Sequence, residues 1–350
     1  MNWKQEYGSL KEYIIDHPEI VINPTEISIP QTLRDEFYAR FDRMRLGFVE
    51  DHYSALSIDI NALCENYLRI EKEITGLLNL EGIAMPMDLF SFVHTPKEGL
   101  MRILYNRTFD LLQGKMAIEE YEEQAVNDLR SVAAELFRLG YEQWAGLAMI
   151  KQLEPDEAFY VDLDEDYKPF LTELKSISFG RQAHHPTMRI PEFVLHSRKL
   201  NRYVAVKMVL AQELETYVAP VKPPVRPKKR TGDTSFALDS RVMLLSLMAS
   251  PKDIPIIADI YDLKFTNPDW MMEFIPANEI NDPGSLEQVR RHLDAMRPQF
   301  GSCLVLIGSG GESTQALFPE NVRTVAPGFD QSALQPVVDA LAAGSTGQNA

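Results

Sequence analysis

The sequence predicts an α+β chain in two parts: an N-terminal helical bundle, then an α/β domain built on a mixed sheet. Three observations carry this expectation. Between Leu33 and Leu139 apolar residues recur at helical spacing. Beyond Ile177 they gather into short β-rich runs. From Ile254 to Gly308 the order reads strand, strand, helix, strand. The expected boundaries are 1–153 for the bundle, 154–219 for a connector and β-hairpin, and 220–234 for a linker. The α/β domain follows at 235–343 and a polar tail at 344–350.

In the bundle, Leu33, Phe37, Phe41, Met44 and Phe48 define a first long helix. Leu56, Ile60, Leu63, Tyr67, Ile70, Ile74 and Leu77 then alternate in steps of four and three, a heptad seam. Such a stripe serves either a dimer or packing within the chain. Thr95-Pro-Lys-Glu is a helix start, and Gly114 is an end. A further helix carries Tyr121, Ala125, Leu129, Val132, Leu136 and Leu139, finishing near Gly140 and Trp144. Glu119, Glu120, Glu122 and Glu123 lack the Glu-x-x-His companion of a diiron bundle. His52 and His94 have no partner in spacing.

The middle opens with an acidic connector around Asp162, Asp164 and Asp166. These are spaced like the start of a calcium loop, without the turn glycine or the closing Glu. Arg189–His196 and Tyr203–Leu210 flank a polar break and predict a hairpin. The vicinal His184 and His185 point two ways on a strand, poor geometry for one metal. Residues 222–230 (Lys-Pro-Pro-Val-Arg-Pro-Lys-Lys-Arg) are the one concentrated basic segment, a linker or an arm for nucleic acid.

In the C-terminal region Ser235 or Asp239 is expected to begin a helix through Val242, Leu244, Leu245 and Met248, ended by Pro251. Asp259, Asp262 and Glu273 lie on the two strands that follow. Ser285-Leu-Glu-Gln is read as a capping box opening a helix to Met296. Cys303–Ile307 predicts a strand covered on both faces. Gly308, Gly310 and Gly311 follow it and offer backbone N–H groups to a phosphate, or simply turn the chain. Val322–Ala326 is another strand, and Asp330 caps a last helix.

This order of elements resembles the PD-(D/E)xK nuclease superfamily, whose fold is restriction-endonuclease-like. Asp259, Glu273 fourteen residues later, the helix with Gln288 and the strand 303–307 carry the resemblance. It implies Asp259 and Glu273 as Mg²⁺ ligands, with Gln288 and a lysine beside them, the metal activating water. The lysine position two after Glu273 is Ile275, so Lys264 is the substitute on offer. The upstream hairpin gives an alternative pair, Glu192 and Lys207.

A net charge of −16 repels nucleic acid except at residues 222–230. Two cysteines, Cys64 and Cys303, argue against a disulfide framework. Met1–Tyr7 carry no apolar signal core, and no apolar run is long enough for a membrane. The expectation is a cytoplasmic interaction or scaffold protein with a degenerate nuclease-like domain. Its partners would be a protein or a second copy bound through helices, with nucleic acid bound through residues 222–230. A Mg²⁺-dependent nuclease and a nucleotide-binding regulator using Gly308–Thr314 are the alternatives.

Overall fold

The computed structural model describes residues 2–56, 58–180, 188–211, 213–214, 241–259, 264–308, 318 and 321–347. These fall into two compact units, 1–65 with 86–140, and 66–85 with 141–350. The predicted linker 220–234, His184, His185, Asp262, Gly310 and Gly311 lie outside the described residues.

The first unit is helical. It holds α1 (Trp3–Asp16), α2 (Arg34–His52), α4 (Met87–His94), α5 (Pro96–Met101) and α6 (Tyr105–Leu112), with a small hairpin of β1 (Val21–Asn23) and β2 (Glu26–Ser28). The boundary between units falls within α3 (Ile60–Leu78) and α7 (Ile118–Gln152). Phe37, Phe41, Phe48, Leu63, Phe92 and Tyr121 are fully buried, so the apolar stripes read from the sequence meet inside this unit. Of the heptad seam, Leu56, Ile60 and Leu63 are buried in this unit; Tyr67, Ile70 and Ile74, which belong to the second unit, are buried too, and Leu77 stands out at 43% exposure. Two details differ from expectation. Thr95 occupies the N-cap of α5 without a capping side-chain hydrogen bond. Helix α7 does not stop near Gly140 but runs on to Gln152, because every residue from Tyr141 to Ile150 is buried.

The second unit is organised on an eight-stranded mixed sheet. Its strands are β4 (Pro155–Leu163), β5 (Pro169–Glu173), β8 (Phe193–Ser197), β9 (Arg202–Leu210), β10 (Arg241–Met248), β13 (Trp270–Pro276), β14 (Gly301–Ile307) and β15 (Val322–Val325). The order is β15-β14-β13-β10-β9-β8-β4-β5, parallel between β13, β14 and β15 and antiparallel elsewhere. The expected hairpin at 189–196 and 203–210 lies in this sheet as β8 and β9, whereas of the two strands expected around Asp259 and Glu273 only the second, β13, belongs to it. A three-stranded sheet joins β7 (Met188–Arg189), β11 (Ala258–Asp259) and β12 (Lys264–Phe265). A parallel pair joins β3 (Gly82–Ala84) and β6 (Ser176–Ser178).

Two expectations are corrected here. Residues 241–248 form a central strand, not a helix: Val242, Met243, Leu244 and Leu245 are all buried, as a strand covered on both faces requires. The acidic connector is the strand β4, whose turn into β5 is tied by Asp164, which accepts from the N–H groups of Asp166 and Lys168.

The sheet is covered on both sides. On the first face Val242, Leu244, Met271 and Val209 pack with Ile257 and Ala258, and with Met296 of α8 (Pro283–Met296). On the same face Ile275, Leu304 and Leu306 pack with Val289. On the second face Gly146 of α7 lies against Met208; Gly344 of α9 (Gln335–Gly347) lies against the ring of Phe300, which precedes β14.

Candidate functional site

The most unusual residue of the sheet is Glu273, a carboxylate in the middle of Trp270-Met-Met-Glu-Phe-Ile. Strand alternation puts Met271, Glu273 and Ile275 on the first face, under α8. In register it lies between Val242 of β10 and Leu304 of β14, both apolar. It is only 4% exposed. An unpaired charge in such a place is prohibitive, so a partner is required.

That partner is His292. Asp282 caps α8, its carboxylate accepting from the N–H of Ser285 at 2.9 Å, and Pro283 occupies the first turn. The cap is thus Asp282 rather than Ser285. The phase this sets turns Val289, His292 and Met296 inward. The Nδ1–H of His292 donates to Oε1 of Glu273 at 2.8 Å. Oε2 has no hydrogen-bond partner among the described residues. Gln288, one turn before His292, is exposed.

Asp259 is elsewhere. It lies in β11 of the three-stranded sheet, opposite Lys264 and Met188 in register. Its neighbour Ala258 is fully buried against the first face of the large sheet. Alternation therefore turns Asp259 the other way. Asp259 and Glu273 thus belong to different sheets, and no cluster of three metal-ligating side chains occurs among the described residues. Ile275, in the lysine slot, is buried among Val289, Leu304 and Ile280.

The alternative pair is brought together. Lys207 Nζ lies 3.3 Å from Glu192 Oε1, and both side chains are buried. Oε1 also accepts from the N–H of Gly180 at 2.9 Å, and Oε2 from the N–H of Met208 at 3.4 Å. Burial raises the Glu192 pKa, against the opposing pull of Lys207 and the two N–H groups. The donors around this carboxylate are protein groups, and they leave it paired within the sheet rather than presented to a metal.

Gly308 ends β14 with a φ of +100° and open space where a Cβ would stand. In the first unit a surface depression of about 540 Å³ is lined by Asn2, Trp3, Lys4, Asp51, His52 and Glu122. Its charges are met internally: Lys4 pairs with Glu122 at 2.8 Å, and Asp51 accepts from the N–H of Trp3. No helix among the described residues is long and apolar enough to cross a membrane.

His292 is the residue that the sequence reading passed over. The signal was present: an imidazole inside the apolar stripe Val289, Leu293, Met296, facing a strand that carried one acid. No family model, curated protein or solved structure matches the chain.

Proposed function

We propose that the chain is a cytoplasmic interaction protein whose sheet unit is a non-catalytic version of the PD-(D/E)xK nuclease fold. The succession β10, β13, α8, β14 supports the likeness, since an antiparallel pair is followed by a helix and a parallel strand. The observation that carries the reading is the environment of Glu273. Its carboxylate is committed to His292, the lysine slot holds a buried isoleucine, and Asp259 lies in another sheet. A two-carboxylate metal site needs oxygens converging at roughly 2.0–2.6 Å from one ion. The described acids are not arranged that way.

The test is a cleavage assay on single- and double-stranded DNA and RNA with Mg²⁺ or Mn²⁺. The reading predicts no metal-dependent cleavage by the wild type above the level of Glu273→Ala. Cleavage abolished by Glu273→Ala would establish the nuclease instead. A gel-shift arm with the same nucleic acids examines binding through residues 222–230. Such binding should weaken steeply with salt and survive Glu273→Ala.

A further inference from the structure

We propose that the β4–β5 hairpin is a docking strip for a basic, extended peptide segment of a partner protein. This rests on the interaction reading above and gives that partner a chemistry. Strand β5 is the outermost strand of the eight, with β4 on its inner side. The hairpin closes with Asp164 N–H donating to the carbonyl of Lys168 at 3.0 Å, and Tyr167 takes the left-handed turn position at φ +58°. Antiparallel bonding alternates from that closing pair. Phe170 and Thr172 therefore bond inward to β4, while the N–H and C=O groups of Leu171 and Glu173 face the outer side.

The two faces of the hairpin are unlike. Val161 and Leu171 are opposite one another and turn to the first face, where Val161 is buried with Ile190 and Val194. Asp162 and Phe170, also opposite one another, turn to the second face. There Phe170 is 40% exposed, and Tyr167 at the turn is 56% exposed. Acidic residues outnumber basic ones seven to two across residues 155–175.

These features fit one kind of occupant. An open strand edge pairs with an extended backbone. Exposed aromatic faces beside carboxylates attract ammonium and guanidinium groups. The acidic field repels nucleic acid and acidic peptides and steers basic ones. Pro169 has no N–H to give, so backbone pairing is confined to Leu171 and Glu173. Charge and aromatic contact therefore carry most of the affinity.

The experiment is fluorescence anisotropy on the full chain. The probe is a fluorescein-labelled peptide acetyl-Lys-Val-Arg-Val-Lys-Val-Arg-amide, and the control replaces every Lys and Arg by Glu. The proposal expects saturable binding of the basic peptide only. Both the double variant Asp162→Lys/Asp166→Lys and, separately, Phe170→Ser should weaken it by about tenfold or more. Absence of saturable binding, equal binding of the two peptides, or variants that bind like wild type would each overturn it. A chain that ignores the peptide and cleaves no nucleic acid loses this docking strip alone. Metal-dependent cleavage removes the interaction reading beneath it.

Discussion

Oε1 of Glu273 on β13 lies 2.8 Å from Nδ1 of His292 on α8, and both residues are buried. The contact joins the middle of the sheet to the helix that connects its parallel strands. The rest of that interface is apolar, made by Val289, Leu293, Ile275 and Leu304. The pair adds a directional polar contact to that apolar interface.

His292→Ala strands Glu273 with neither oxygen partnered, and should cost about 3–5 kcal/mol. Glu273→Gln keeps an acceptor for Nδ1–H and should cost no more than about 2 kcal/mol. Urea unfolding followed by tryptophan fluorescence checks the order. A His292→Ala variant as stable as wild type would show that the contact holds nothing.

The Glu192–Lys207 pair behaves differently from an isolated buried salt bridge. Replacing such a pair by apolar residues is often harmless. Here Glu192 also receives the N–H groups of Gly180 and Met208. The double variant Glu192→Leu/Lys207→Met leaves both donors unmet, so a loss of about 2–4 kcal/mol is expected. Full stability in that variant, measured by urea unfolding, would show that the N–H groups find other acceptors.

The raised pKa of Glu192 also sets a pH dependence. Burial favours the protonated form in the fold, so folding takes up protons over the interval between the unfolded and folded pKa values. The resulting stability is complete below the ordinary glutamate value of 4.5 and is lost as pH rises through the raised folded value. Glu192→Gln should flatten this fall. Parallel stability-versus-pH curves for wild type and Glu192→Gln would contradict the assignment.

Both thiols are sheltered. Burial pushes Cys64 up to about 11 and Cys303 up to about 12. At pH 8 neither is appreciably thiolate, and a disulfide-exchange reagent should label them only as the chain opens. Labelling in the native protein as fast as in urea would contradict their placement.

Gly301 starts β14 at φ +132°, and a Cβ there would stand 2.6 Å from the carbonyl oxygen of Asn321. Gly301→Ala should cost about 3 kcal/mol through backbone strain and overlap, read as a lowered melting temperature. An unchanged melting temperature would mean that β14 starts differently.

Much of the architecture was legible. Cys303–Ile307 reads as a strand buried on both faces and is one, and the apolar stripes of α2 and α3 are buried from Phe37 to Phe48 and from Ile60 to Ile74. Residues 241–248 were misread because an apolar run flanked by polar residues has no period to separate strand from helix. Its neighbours β9 and β13 decide the matter, and they lie far away in sequence. Glu273 was recognisable as an acid that needed a partner. Its partner stands inside the stripe Val289, Leu293, Met296, but which position of α8 meets Glu273 is set by how the helix crosses β13, nineteen residues away in sequence.

The most direct test of the account is titration of Mn²⁺ into the full chain, followed by the electron-spin signal of the free ion. The account predicts no stoichiometric site that depends on Glu273, and the same curve for wild type and Glu273→Gln. One Mn²⁺ bound per chain, and lost in both Glu273→Gln and Asp259→Asn, would contradict it.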